Sequence, residues 1–353
     1  MNPTAPQTSA SAAAVPAPAG IWITEVFRLT RWELYLAWRR MMAKVLIIIM
    51  VVAYALVITV VGIGLTSVQN QPTPTAQDLQ FQCPPDATGC STPTPQEIKQ
   101  IQQEQEARKQ ATIAQFSDPV TFPTSLGFAA TVTRIVGLIL ICILAGALVG
   151  SEYGFSTQRL AFSRGTSRLQ MLTAQAVALA VISMVVAAGM LVIGAIVGLM
   201  MGPAFGMGVS MPSFGGWMEI IKFFLAFSFS LFTYTLVALA AATLGKSTAA
   251  GVGLALGVIV IELILTPILQ AIGGAMYNFA HIDFGNVLQH IPDWFLGSNV
   301  GALLGYAGQY PISLAPAPSN NFSFVRALLV SLVYCAIFFG GSYFLLSRRD
   351  VTE

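Results

Sequence analysis

Six blocks of about twenty to thirty mostly apolar positions punctuate the chain, separated by shorter polar stretches. They run over residues 45–68 (VLIIIMVVAYALVITVVGIGLTSV), 126–151, 171–202, 217–244, 248–271 and 324–346. At 1.5 Å per helical residue each is long enough to cross a hydrocarbon core of ~30 Å. The pattern predicts an all-α polytopic membrane protein with six transmembrane helices. The third block would form a helix of roughly 45 Å, so it is expected to tilt or to project beyond the bilayer. Residues 21–44 are amphipathic instead. Trp22, Val26, Leu29, Trp32 and Leu36 fall near one helical face, and Glu25, Arg28, Arg31, Arg39 and Arg40 supply the other. A helix of this kind lies in the headgroup plane or extends the first span into the cytoplasm.

The polar stretches differ in kind. Residues 1–20 have neither a basic start nor an apolar run and read as a disordered cytoplasmic tail rather than a signal peptide. Residues 69–124 are too long for a plain connector and are expected to form an extracytoplasmic element, with Gln96–Gln115 a solvated helix. Residues 152–170 are a polar link. Residues 202–216 form a turn broken by Gly and Pro. The fourth and fifth blocks are separated only by Gly245, Lys246 and Ser247. Residues 272–322 mix glycines, prolines, aromatics and apolar patches, which suits short interfacial or re-entrant helices. Residues 347–353 form a second short tail.

Composition agrees with the pattern. Of 353 residues 55% are hydrophobic and 9% charged, against about a quarter charged in soluble domains. This excludes a water-soluble protein of this size. The placement of cations orients the threading. With the amino terminus inside, Arg28, Arg31, Arg39, Arg40, Lys44, Arg159, Arg164, Arg168, Lys246, Arg348 and Arg349 all face the cytoplasm. Only Lys99, Arg108 and Lys109 fall in outer loops, while Arg134, Lys222 and Arg326 lie within or beside spans. The positive-inside rule then puts both termini in the cytoplasm of a cell-membrane protein. Cys83 and Cys90 lie outside in this threading. Their spacing suits a disulfide-closed loop, two free thiols being the alternative. Cys142 and Cys335, inside apolar blocks, read as buried hydrophobes.

The link after the second span reads Gly150-Ser-Glu152-Tyr-Gly154-Phe-Ser-Thr157-Gln-Arg159-Leu-Ala-Phe-Ser163-Arg164-Gly-Thr-Ser-Arg168. A glutamate closes an apolar helix, a Gly-x-x-Thr turn follows, then a short amphipathic segment and a Ser-Arg break. This resembles the cytoplasmic signature of ABC-2 type permeases, the membrane subunits of ATP-driven exporters. Glu152, Gly154, Thr157, Ser163 and Arg164 match that signature; the family's adjacent Gly-Thr is split here by Phe155 and Ser156. The likeness covers most of residues 21–346, including the entry helix, the six spans and the partly apolar segment before the last one. It implies a link, carrying Arg159 and Arg168 as well, that seats in a soluble ATPase, with Glu152 as its anchor. It also implies a second permease copy or homologue, and ATP-Mg bound only in the partner subunit. An ordinary basic loop anchored in headgroups is the plain alternative.

Other features carry less. Gly245-Lys246-Ser247-Thr248 mimics the end of a phosphate loop, but Ala240 stands where the pattern needs glycine and a transmembrane helix replaces the strand. No catalytic residues and no cofactor of the chain's own are expected, nor any nucleic-acid partner. Glu262 and Arg134 are charges inside spans at broadly similar depth, candidates for an intramembrane pair or for a lining of the pathway. Glu219 and Lys222 suit a local helix pair. Small-residue stripes at Gly146/Gly150/Gly154, Gly194/Gly198/Gly202 and Gly253/Gly257 suit close packing within the bundle. His281, His290 and Asp283 match no standard metal-ligand spacing, so no metal is expected. Two other classes stay open: a secondary transporter, and a non-transporting assembly factor or sensor that works through residues 69–124.

Overall fold

The computed structural model describes residues 19–71, 95–154, 166–278, 281, 283–308 and 322–348. Among these the chain is all-helical, with no strand. Six helices are long and apolar enough to cross a membrane. The first span is α2 (Met41–Gln69). The second comprises α4 (Thr124–Val132), a π turn (Thr133–Gly137) and α5 (Leu138–Gly154). The third to fifth are α6 (Arg168–Ala204), α7 (Phe214–Gly245) and α8 (Thr248–Asn278), and the sixth is α11 (Phe324–Arg348). Around them stand α1 (Ala19–Arg39), α3 (Pro95–Ser117) and two short helices, α9 (Asp283–His290) and α10 (Leu296–Ala307). Residues 96–115 are thus helical, as their pattern predicts.

Helix starts follow local chemistry. Four spans open on a serine whose hydroxyl accepts a backbone N–H of the first turn, satisfying a donor that has no partner within the helix. Ser167 does so from Gln170, whose side chain returns a bond to the Ser167 N–H, a full capping box. Ser213 accepts from Gly216, Ser247 from Ala250 and Ser323 from Arg326. Between the fourth and fifth spans Lys246 adopts a left-handed conformation (φ 49°), so the phosphate-loop mimic is a C-cap followed by an N-cap. Lys109 of α3 donates to the Gln69 and Gln71 carbonyls at 3.2 and 2.6 Å. A cation there offsets the negative end of the first span.

The fourth span is the hub. Phe223, Phe227, Leu231, Tyr234 and Leu239 on it are buried, and it packs on the second, third, fifth and sixth spans and on α10. The first span buries only a stripe, Ala43, Met50, Tyr54, Ile58, Gly62 and Leu65; its remaining apolar faces are exposed, as lipid contact requires.

Glycines set the closest approaches. A Cβ on Gly146 would sit 2.8 Å from the Val252 nitrogen, and one on Gly150 would sit 2.7 Å from the Ser247 carbonyl carbon. The second and fifth spans therefore meet backbone to backbone at one end of the bundle. Gly194 and Gly198 likewise receive the start of the second span. Gly253 and Gly257 meet nothing within 4 Å, so that stripe does not pack against the other described residues.

α1 differs from its sequence reading in one respect. Its buried stripe runs through Val26, Thr30 and Ala37, with Glu33 between them, and Trp32 is 57% exposed. The helix turns this stripe toward the third span, and Thr30 donates to the Ala174 carbonyl at 3.4 Å.

Candidate functional site

Three cations at junctions between helices, Arg40, Arg168 and Lys246, lie at one end of the bundle. Arg40, which separates α1 from the first span, donates to the Ala147 carbonyl (3.1 Å) and to the Ser151 hydroxyl (2.8 Å) at the close of the second. Arg168, at the start of the third span, donates to the Leu346 and Ser347 carbonyls (2.6 and 2.8 Å) at the close of the sixth. Lys246 sits in the turn packed against Gly150. These junctions share one end of the bundle, as six alternating crossings require in either orientation.

Glu152 occupies the centre of this basic end. It is 6% exposed. Its Oε2 accepts from the Gln175 amide of the third span at 2.6 Å, and its carboxyl hydrogen-bonds that of Glu33 on α1. Two carboxyl groups can share a hydrogen bond only if one keeps a proton. Burial raises Glu33 above the ordinary 4.5; the bond to Glu152 and the positive charge of Arg40 act in the opposite direction. A small cavity lined by Leu148, Val149, Ala178 and Leu179 adjoins the three polar chains. One acid thus ties α1 to the second and third spans where the link begins. Gly154 is the last residue of α5. Thr157, Arg159, Ser163 and Arg164 lie outside the described residues, as do Cys83 and Cys90. Arg168, expected to meet a partner, caps the C-terminal end of the sixth span.

A second polar group sits inside the bundle. Glu262 lies midway along the fifth span. Its oxygens accept from the backbone N–H of Leu296 (2.9 Å) and Gly297 (3.0 Å) and from the Tyr234 hydroxyl (3.1 Å). A carboxylate at the N-terminus of α10 satisfies two orphan donors and offsets the helix dipole. The first turn of α10 is therefore held level with the middle of the fifth span. Gly297 permits this approach, since a Cβ there would sit 2.8 Å from Oε2. Asn299 on α10 donates to the Asp293 and Phe295 carbonyls, and its buried Oδ1 has no hydrogen-bond partner among the described residues.

Arg134 belongs to the π turn of the second span. A Cβ on Gly301, one turn along α10 from Gly297, would sit 3.2 Å from its Nη2. Arg134 and Glu262 thus line one face of α10, but no ion pair joins them. The three ion pairs among the described residues are the local helix pairs Glu25–Arg28, Glu104–Arg108 and Glu219–Lys222. Arg326 of the sixth span stacks over Trp294 at 4.6 Å and donates to the Asp293 carbonyl at 3.4 Å, clasping the turn before α10. Along the first and third spans runs an apolar groove of about 500 Å³ lined by Tyr54, Ile58, Ile193, Val197 and Met201 among others. Among the described residues no three His, Cys, Asp or Glu side chains converge as a metal site would need.

Sequence reasoning missed Glu33, Gln175 and Tyr234. Glu33 could have been found as an acid on the stripe Val26, Thr30, Ala37. Gln175 and Tyr234 carry no local signal, because their partners come from distant helices.

Comparison of the chain with protein-family models, with curated proteins and with solved structures finds no match. The class defined by fold and site is a six-span helical membrane protein with a bonded polar junction at one end.

Proposed function

We propose that the chain is the permease subunit of an ABC-2 type exporter. It pairs with a second copy or a homologue and with cytoplasmic ATPase subunits that bind ATP-Mg, and it exports a small amphiphile, drug, lipid, peptide or polysaccharide. The basic end faces the cytoplasm, following the positive-inside rule, and α1 lies along that membrane surface. Exposed Phe27, Trp32 and Trp38 on α1 suit the headgroup region.

The observation that carries this reading is the burial of Glu152 between Glu33 and Gln175. The signature link leaves from this acid and returns at Ser167 and Arg168, which hold the third and sixth spans. A force on the link therefore reaches α1 and three spans through hydrogen bonds, as coupling to a moving ATPase requires. A basic loop with no mechanical duty has no need of such a junction.

The test is affinity purification from native membranes after cross-linking. An ATPase subunit is expected to co-purify, with hydrolysis that falls when Glu152 is replaced by Ala. Recovery of the chain without any ATPase would favour a secondary transporter or an assembly factor.

A further inference from the structure

We propose that Arg134 is an anion-binding residue, which takes the phosphate or carboxylate headgroup of an amphiphile in the half of the membrane away from the basic end. The proposal rests on the exporter reading only in placing this amphiphile on a transport path; the binding stands by itself.

Arg134 lies about a third of the way into the second span from its far end. Among the described residues its guanidinium makes no hydrogen bond and no ion pair, whereas a cation within a span is costly unless matched. The acid placed to match it is Glu262, on the same face of α10. Both Glu262 oxygens are already engaged by the Leu296 and Gly297 N–H groups and the Tyr234 hydroxyl. The structure thus keeps a base and an acid one helical turn apart while binding only the acid. Among the described residues no acid pairs with Arg134, and an external anion is the partner we assign to it.

Geometry sets the class. The guanidinium is a planar fork that matches phosphate or carboxylate with two parallel N–H bonds. Gly301 lets that fork lie against the backbone of α10, where a Cβ would sit 3.2 Å from its Nη2. The π turn interrupts the regular helix at Arg134, and such turns recur at functional sites. Arg134 is only half-buried, and the neighbouring Ile135 and Ile139 are 67% and 40% exposed on the membrane face. An anion entering beside them must carry an apolar body, which describes a fatty acid or a phospholipid.

The full-length protein is reconstituted in phosphatidylcholine nanodiscs and titrated with three pyrene-labelled probes: a fatty acid, a phosphatidic acid and a neutral fatty alcohol. The wild type is expected to bind both anionic probes saturably. Arg134→Gln should weaken them by at least about tenfold, the loss of a charge-assisted bidentate pair, with Arg134→Lys intermediate and the alcohol unchanged. Gly301→Ala, which places a methyl against the fork, should weaken the anionic probes without removing the charge, and it serves if Arg134→Gln does not fold. Unchanged affinity for the anions in Arg134→Gln, or in Gly301→Ala where the first variant is lost, overturns the proposal, as does an equal fall for the alcohol. Mass spectrometry of lipid retained by the wild type and lost in Arg134→Gln identifies a bilayer phospholipid as the source. ATP-dependent release of the labelled fatty acid, with the ATPase present, identifies cargo. Binding without ATP-dependent release upholds the site and removes the fatty acid as cargo, while the exporter reading is tested separately by co-purification of the ATPase.

Discussion

The carboxyl groups of Glu33 and Glu152 hydrogen-bond each other where the second span ends. Together with Arg40 on Ser151 and the Ala147 carbonyl, they attach α1 to the bundle. Because burial raises Glu33 above 4.5, the folded state holds its proton more tightly than the unfolded chain does. This contribution to stability is complete below about 4.5 and is lost as pH climbs through the raised value. Thermal unfolding of the purified protein should therefore show a component that weakens with rising pH. Glu33→Gln should reduce it, since an amide donates to Glu152 at any pH. An unaltered pH profile in Glu33→Gln would remove the shared proton from the account.

Glu262 anchors the first turn of α10, and Tyr234 braces it. Glu262→Gln keeps one acceptor but removes the charge, and hydrogen bonds to charged groups contribute about 1.5–3 kcal/mol each. Hydrogen exchange at the Leu296 and Gly297 amides should accelerate markedly. Tyr234→Phe should produce a smaller change in the same place. Equal exchange in wild type and Glu262→Gln would show that α10 is held by packing alone.

Arg168 caps the carbonyls of Leu346 and Ser347. Arg168→Ala should lower stability by about 0.3–1 kcal/mol, the range for a cation at a helix C-terminus, and should loosen the last turn of the sixth span. Site-directed spin labels near Ser347 report that loosening as increased mobility.

At Gly150 the second span touches the turn between the fourth and fifth. Gly150→Val inserts atoms where a Cβ would already lie 2.7 Å from the Ser247 carbonyl carbon. Overpacking of about 1–3 kcal/mol is expected, read as a lower midpoint of thermal unfolding in detergent. Gly257→Val, facing open space within the chain, should leave the midpoint of the monomer unchanged.

The spans were legible because apolar blocks this long admit one interpretation, and their serine starts follow capping chemistry. The mixed stretch 272–322 revealed short helices but not their depth. That depth is set by Glu262, whose bonds to Leu296 and Gly297 join residues with no local relation in sequence. Arg134 and Glu262 were recognisable as unusual charges, yet hydropathy cannot say that both face α10 and that α10 engages only the acid. For the same reason Glu152 was visible as a helix-end charge, while its partner Glu33 was hidden in an amphipathic pattern whose exposed faces are also aromatic.

The claim that the link is gripped from the cytoplasm is tested most directly by the rate at which a membrane-impermeant maleimide modifies Thr157→Cys in a chain otherwise free of cysteine. Modification is expected in inverted membrane vesicles and absent in intact cells, and it should slow when the ATPase subunit is bound. Modification in intact cells, or one rate in inverted vesicles with and without the ATPase, would contradict the account.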